Sequence, residues 1–259
     1  MKNIFTLFLV GTTLIALASI AALAQDAKTP SPVLRNVGNA SHPSSPHPPT
    51  DGAWGLPSVP GTIIFYGGDT NFSDPNYEGY ANENTLVVGT TSVYAAVTAP
   101  TGGKTIVSGV FFNNIALVEG VFDPKIGTYD VRRGLSEENC GTELASGSAP
   151  QTAVPTGRSG GDFVEYTTSV SFPKPLTAKG GTTYWFNETP QCTNTGDNAC
   201  ESQEYYFDNT TQQTNGVNAN AQPPYQLYLN SSYFGYSCLN LCEGENKPAC
   251  QWGSWGLFR

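Results

Sequence analysis

Short strand-like runs, each bounded by turn-forming residues, are the feature of this sequence that most limits its fold. The runs are rich in Val, Ile, Thr, Tyr and Phe, and clusters of Gly, Pro, Asn and Ser separate them, which is typical of β-strands. No segment shows apolar residues at helical spacing over three turns. The predicted strands are TIIFYG (62–67), SVYAAVTA (92–99), KTIVSGVFFNNIAL (104–117), TYDVRR (128–133), FVEYTTSVSF (163–172), TTYWFNE (182–188), YQLYLN (225–230) and WGLF (255–258).

The run FVEYTTSVSF indicates what kind of sheet to expect. Its residues Val164, Tyr166, Thr168, Val170 and Phe172 share one face of a strand, and most of its polar residues share the other. This alternation predicts a sheet with one buried side. A chain with about 200 residues of such runs is expected to form one all-β domain, a β-sandwich of jelly-roll type, over residues 61–259.

The N-terminus predicts export from the cell. Lys2 precedes a continuous apolar run that ends in Ala22-Leu23-Ala24, and small residues at these positions are what a signal peptidase reads. Residues 1–24 are therefore expected to be a signal peptide cleaved before Gln25. A retained membrane anchor is the alternative, but the apolar run is short for a bilayer span. We expect a mature chain without a membrane span, secreted to an extracellular or periplasmic location.

Residues 25–60 are expected to be a disordered tether. Prolines crowd this segment and apolar periodicity is absent. Such a composition cannot bury enough apolar surface to offset the entropy of ordering the chain. Both histidines of the protein, His42 and His47, lie in this segment, so the predicted folded domain has none.

The cysteines predict disulfide bridges, because an even number in an exported chain favours pairing over free thiols. Their spacing fits zinc poorly. A Cys192–Cys200 bridge is predicted because these residues flank the polar loop TNTGDNA, and Cys242–Cys250 is the preferred local pair among the other four because the turn-forming GENKP lies between them. These choices leave Cys140–Cys238. The six cysteines are Cys140, Cys192, Cys200, Cys238, Cys242 and Cys250.

Charge and motif content exclude several functions. The formal net charge is −9 with only 12 Lys and Arg residues, so the basic stripe that a nucleic acid partner requires is missing. Without a histidine in the domain, Ser-His-Asp and Cys-His hydrolysis and histidine-based metal sites lack their central residue. No nucleotide-binding or hydrolase motif occurs. We therefore expect no catalytic residues.

Acid pairs leave glycosidase chemistry as a distant alternative, since it needs only two carboxylates. The candidate pairs are Glu137 with Glu138, and Glu201 with Glu204. Neighbouring residues on a strand point to opposite faces, which weakens the first pair. The stretch SEENCGTELA is better interpreted as a polar turn between strands, after which Leu144 and Ala145 return to the core.

Two kinds of binding site are also possible. Oxygen donors on Gly-rich loops suit calcium, and exposed aromatic side chains can stack on sugars. The possible calcium ligands are Asp69, Asn71, Asp74, Asp197 and Asp208, and the possible sugar-stacking aromatics are Tyr205, Tyr233, Trp252 and Trp255. Solvated turns and core packing are the structural alternatives for these two sets.

Four segments together resemble a group of small secreted bacterial β-sandwich proteins. They are YDVRRGLSEENCGTELASGSAP, TGRSGGDFVEYTTSVSF, LTAKGGTTYWFNETP and NSSYFGYSC, in that order. The group carries IRSGVSEGNGGT-ASG, TGRSG-EYTVSV and GTYWL motifs, and many members end in a sorting tail that this sequence lacks. The resemblance covers about residues 85–259 and implies a scaffold with no assigned activity. The resemblance does not imply that this chain is anchored to a cell surface.

From these observations we expect a secreted, disulfide-braced β-sandwich that acts as a non-catalytic structural or interaction module outside the cell. Its partner would be an extracellular glycan or a surface protein. The alternative is a carbohydrate-binding module with structural calcium, and no other cofactor is expected.

Overall fold

The computed structural model describes an all-β protein. The described residues are 56–69, 82–83, 91–117, 122, 124–161, 163–191, 206–207, 209–210, 228–231, 235–240 and 252–259. Strands account for most of them, and no helix occurs among them. The predicted all-β class is therefore confirmed for this part of the chain, whereas the jelly-roll connectivity stays a prediction.

The strands follow the predicted runs closely, and each run overlaps one strand. The strands are β1 (Ile63–Tyr66), β2 (Asn82–Glu83), β3 (Thr91–Thr98), β4 (Lys104–Leu117), β5 (Ile126–Arg133), β6 (Thr142–Gly160), β7 (Phe163–Lys179), β8 (Thr183–Gln191), β9 (Tyr206–Phe207), β10 (Asn209–Thr210), β11 (Tyr228–Ser231), β12 (Tyr236–Asn240), β13 (Trp252–Gly253) and β14 (Trp255–Phe258). Because β-branched and aromatic residues fill most of the runs, local preference and sheet formation agree there.

The strand β6 departs from the prediction. The sequence TELASGSAPQTAVPTGRSG forms a strand of 19 residues, although its Gly, Ser and Pro content is typical of turns. Strands on both sides supply its hydrogen bonds, β5 to residues 142–150 and β7 to residues 151–160. Tertiary pairing thus overrides the weak local preference. Ala145 packs against the core as predicted, but Leu144 is exposed, because neighbouring residues on a strand face opposite sides.

Twelve of the described strands form a curled antiparallel sheet, and β10 and β13 form a separate two-stranded sheet. The main path of the curled sheet runs β1-β14-β4-β7-β6-β5-β8-β3-β11-β12. Since β6 bonds to β7 with its second half and to β5 with its first half, the sheet folds over along this strand. We call β1, β14, β4, β7 and the second half of β6 the first layer. The first half of β6 with β5, β8 and β3 is the second layer.

The two layers pack face to face around an apolar core. The rings of Phe186 in β8 and Trp255 in β14 lie 5.9 Å apart, and those of Tyr129 in β5 and Phe172 in β7 lie 4.8 Å apart. These contacts join strands that are not neighbours in the sheet, which makes the arrangement sandwich-like. Trp255 is only 1% exposed and also packs on Phe65. Its prediction as a sugar-stacking residue is therefore wrong, because β14 directs it into the core.

Both faces of β7 carry buried residues, contrary to the expected one-sided sheet. Val170 and Phe172 face the core as predicted. On the opposite, outer face Glu165 is 0% exposed and Thr167 is 2% exposed. The outer face therefore contains buried polar residues, which must find partners within the protein.

Ordered contacts begin within the segment predicted as a tether. Val59 packs against a cluster of Tyr66, Phe111 and Phe258 on the outer face of the first layer. Thr62 exchanges two backbone hydrogen bonds with Arg259, at 2.9 and 3.0 Å. The folded part therefore starts by Val59, whereas residues 25–55 lie outside the described part of the chain.

Candidate functional site

A cluster of buried charges lies on the outer face of the first layer. We call Asp69, Arg158 and Glu165 the outer charge cluster. Arg158 forms ion pairs with both acids, and its Nε donates a hydrogen bond to Glu165 Oε2 at 2.6 Å. The relative exposures of the three residues are 6%, 3% and 0%. One guanidinium therefore bridges two carboxylates away from solvent.

A bulge in β6 positions the arginine. Pro155 pairs with Tyr166, but the next paired residue of β6 is Ser159, opposite Val164. Three residues of β6 consequently stand opposite the single residue Glu165, and the middle one is Gly157, with a φ of 82°. Glycine adopts this conformation without strain, so the strand can widen here. The flanking residues, Thr156 and Arg158, then both reach Glu165.

The segment after β1 brings the second acid to the cluster. Tyr66 Oη donates to Asp69 Oδ1 at 2.5 Å, the same oxygen that Arg158 contacts. Asn113 Nδ2 donates to Tyr66 Oη at 3.2 Å, and Thr167 Oγ1 donates to Asn113 Oδ1 at 2.7 Å. A continuous set of hydrogen bonds thus joins β1, β4 and β7 on this face.

Burial and charge act against each other in the cluster. Burial raises the pKa of Glu165, while Arg158 and the hydroxyl of Thr156 oppose that effect. Burial also raises the pKa of Tyr66 well above its ordinary value. For Arg158, burial lowers the pKa, but Glu165 and the other acidic neighbours outweigh it and the pKa is raised. The cation is therefore held firmly in its charged form.

The hydrogen bonds of this cluster tie strands together. A general acid or base must come within hydrogen-bond reach of a reacting group. Here Glu165 Oε2 accepts bonds from Arg158 and Thr156, and Asp69 Oδ1 accepts bonds from Arg158 and Tyr66. The bonded oxygens are directed at other parts of the same fold.

A second buried acid lies on the inner face, beside the apolar core. Thr168 Oγ1 donates to Glu188 Oε2 at 2.7 Å, and Gln151 Nε2 donates to Glu188 Oε1. Asn114 Nδ2 donates in turn to Thr168 Oγ1 at 2.7 Å. We call these four residues the inner polar group. Its members come from β4, β6, β7 and β8, so it connects the two layers.

Burial raises the pKa of Glu188 to about 8, and the hydrogen bonds from Thr168 and Gln151 oppose this shift only in part. Burial therefore favours the neutral form of this acid. Oε1 of Gln151 has no hydrogen-bond partner among the described residues. Rotation of this amide by half a turn would let the protonated acid donate to it.

The acidic turn between β5 and β6 is anchored by a disulfide. Cys140 is bonded to Cys238 in β12 with a Cα–Cα distance of 5.4 Å, which is the pair that the sequence left by elimination. Glu138 N donates to the carbonyl of Cys238 at 3.1 Å, and Arg132 Nη1 donates to the carbonyl of Cys140 at 3.1 Å. Glu137 and Glu138 are both exposed on this turn. The structural interpretation of the stretch is therefore favoured, since its cysteine is a covalent attachment point.

The predicted calcium ligand Asp69 has a different role. Instead of lying on a solvated loop, it is buried and bonded to Arg158 and Tyr66. Because Arg158 already contacts its Oδ1 oxygen, the structure favours an ion-pairing role for Asp69 over calcium ligation. The residues described in the structure contain no group of three or more His, Cys, Asp or Glu side chains placed to hold a metal.

Several predicted residues lie outside the described part of the chain, and their assignments stay predictions. Trp252 begins β13, but its side chain is not among those described. The others outside the described ranges are Asn71, Asp74, Cys192, Asp197, Cys200, Glu201, Glu204, Tyr205, Asp208, Tyr233, Cys242 and Cys250.

Sequence reasoning did not identify Arg158, Glu165 or Glu188 as site residues. A signal was nevertheless present, because Glu165 stands between Val164 and Tyr166 in a strand-forming run and Glu188 ends the run TTYWFNE. Acids in such runs are unusual, because buried acids need specific partners.

The comparisons place the chain with no known protein. No family model matches it, and neither the curated proteins nor the solved structures contain a match. Within the described residues there is also no helix that is long and apolar enough to span a membrane. The structure therefore assigns the protein to the all-β class with a sandwich-like curled sheet, and function has to be argued from its own residues.

Proposed function

We propose that this chain is an exported, non-catalytic module with a structural or interaction role outside the cell, built on a β-sandwich of jelly-roll type. The observation that carries the proposal is the use of its buried ionisable side chains. Arg158 joins Asp69 to Glu165, and Glu188 is enclosed by its own hydrogen-bond donors. These groups hold strands together, which is what a durable scaffold requires.

The covalent bracing supports the same proposal. The Cys140–Cys238 bridge spans 98 residues of sequence. Disulfides persist in oxidising compartments, so the bridge agrees with the export that Lys2 and the Ala22-Leu23-Ala24 pattern predict. The resemblance to secreted bacterial sandwich proteins points in the same direction. The expected partner is an extracellular glycan or a surface protein.

Binding and hydrolysis assays on the mature, oxidised protein test the proposal. A glycan array in calcium buffer, repeated with EDTA, and a panel of polysaccharide hydrolysis assays are the two measurements. We expect no hydrolysis and no EDTA-sensitive glycan binding. Metal-dependent binding to a defined sugar would replace the proposal with the carbohydrate-binding alternative, and reproducible polysaccharide cleavage would overturn it.

Protease resistance tests the scaffold role itself. The oxidised protein is expected to resist an extracellular protease, whereas the Cys140→Ser, Cys238→Ser double variant is expected to be cut faster. In the chain-entropy model, closing a loop of about 100 residues contributes about 4–5 kcal/mol to stability. A single Glu137→Gln variant on the same turn is the matched control, and its cleavage rate should equal that of the unmodified protein. Equal rates for all three proteins would contradict a bracing role for the disulfide.

A further inference from the structure

An apolar cavity of about 170 Å³ lies between the layers, at one end of the sandwich. Its walls include Phe65, Val97, Val107, Phe186 and Leu257, all of them buried. These residues come from β1, β3, β4, β8 and β14. The cavity is therefore a feature of the assembled core and not of one loop.

The polar atoms of the cavity lie toward its solvent side. Pro100 is exposed, while Thr98 and Thr105 are half-buried. Thr98 Oγ1 is hydrogen-bonded to Thr183 Oγ1 at 2.8 Å, so its hydroxyl is already satisfied. A molecule entering from this side would meet a narrow polar rim and then apolar walls.

Two turns at this end of the sandwich are hydrogen-bonded to each other. Ala99 N donates to Thr182 O at 3.0 Å, Gly181 N donates to Ala99 O at 2.9 Å, and Gly180 N donates to Gly103 O at 2.9 Å. The turn after β3 and the turn after β7 are thus fixed together. Hydrogen bonds between the two turns therefore connect the strands that line the cavity at this end of the sandwich.

The size of the cavity indicates an occupant. Protein interiors pack as densely as organic crystals, so apolar walls that face a gap of this volume lose packing contacts. Apolar cavities of about 150 Å³ stay dry and bind benzene or xenon. From the volume, the apolar walls and the fixed turns we infer that this cavity binds a small, compact apolar molecule of about the size of benzene. This inference does not depend on the proposed module function.

Benzene is the probe for the test, added near saturation to the full-length oxidised protein. Binding to the folded state alone raises Tm, and we expect a rise of about 3 °C when benzene is about tenfold above its Kd. In methyl NMR spectra, the signals of Val97, Val107 and Leu257 should shift, while those of Val131 should not. The inference is overturned if neither Tm nor these methyl signals respond.

Cavity-filling variants locate the site. Ala178 and Ala99 line the cavity, so Ala178→Leu and Ala99→Leu should each abolish the benzene-induced rise while leaving the Tm of the free protein equal or higher. Ala145→Leu is the control, because Ala145 packs against the same core but does not line the cavity. Retention of the full benzene response in both cavity variants would overturn the inference. If either variant fails to fold, the methyl shifts of the unmodified protein decide.

Discussion

Glu165 and Glu188, the two buried glutamates in the described part of the chain, are each 0% exposed but are accommodated differently. Glu165 lies on the outer face of the first layer, where Arg158 provides a positive charge and Thr156 a hydroxyl. Glu188 lies on the inner face, where the neutral groups of Thr168 and Gln151 donate hydrogen bonds to it. Burial raises the pKa of both acids; at Glu165 the charge of Arg158 opposes this effect, and at Glu188 the two hydrogen bonds oppose it in part.

The difference shows that burial alone does not determine how an acid behaves. Where a buried acid is paired with a cation, the stability of the fold depends on that cation, because removing one member of the pair leaves an uncompensated charge in the interior. A buried acid with neutral partners can stay uncharged by keeping its proton. The stability of the folded protein then depends on pH. The outer charge cluster should therefore be sensitive to mutation of its arginine, and the inner polar group should be sensitive to pH.

Replacing the bridging arginine should have the largest effect. Arg158→Met keeps an apolar chain of similar length but leaves Asp69 and Glu165 without their cation, and we expect a loss of about 3–5 kcal/mol in the free energy of unfolding. Chemical denaturation measures it. Arg132→Met is the control, since Arg132 is partly exposed and its ion pair with Asp130 contributes less.

A compensated variant sharpens the same comparison. Combining Arg158→Met with Asp69→Asn and Glu165→Gln removes all three charges, so part of the lost stability should return. A triple variant that is even less stable than Arg158→Met would show that hydrogen-bond geometry, and not charge, dominates the cluster.

The pH dependence of stability should identify the second acid. The folded pKa of Glu188 is about 8 against an ordinary value of 4.5. Between these values the folded protein keeps a proton that the unfolded chain has released, so stability falls as pH rises through this window. The slope from this single proton is at most about 1.4 kcal/mol per pH unit. Denaturation of the unmodified protein and of Glu188→Gln from pH 5 to pH 9 measures it.

The Glu188→Gln variant should lack this contribution. Its stability relative to the unmodified protein should therefore increase with pH across the window and change no further above it. Glu143→Gln is the matched control, because Glu143 is exposed and should follow the unmodified protein throughout. Parallel curves for the unmodified protein and Glu188→Gln would mean that Glu188 is ionised in the folded state.

The sequence could predict most strands but not the clusters that these variants address. Strand runs are local, since β-branched and aromatic residues mark them within a few positions. The contact between Asp69 and Arg158 joins residues 89 apart, and it depends on the strand order and on the bulge at Gly157. Neither the strand order nor the bulge can be recognised from the residues of one strand-forming segment. The strand β6 escaped prediction for a similar reason, because its hydrogen bonds come from both neighbours.

The two threonines that donate to these acids provide a smaller, matched test. Thr156→Val and Thr168→Val each remove one hydroxyl donor without a large change in shape. A hydrogen bond to a charged group contributes about 1.5–3 kcal/mol, whereas one between neutral groups contributes about 1 kcal/mol. Thr156→Val should therefore cost more than Thr168→Val at pH 6, as measured by denaturation. Equal costs would indicate that Glu165 is protonated as well.

Replacing the exposed acids Glu137 and Glu138 should have the smallest effect on stability, because they are not buried as Glu165 and Glu188 are. Their turn is fixed by the Cys140–Cys238 bond and by the backbone bond from Glu138 N to Cys238 O, and neither contact uses a carboxylate. The double variant Glu137→Gln, Glu138→Gln should therefore change the free energy of unfolding by less than about 0.5 kcal/mol, and polysaccharide assays should give the same result before and after the change. Glutamine keeps the size of each side chain, so only the charge is tested. A loss of several kcal/mol would place these acids among the structural ones, and the loss of a hydrolytic activity would make the turn a catalytic site and overturn the module proposal.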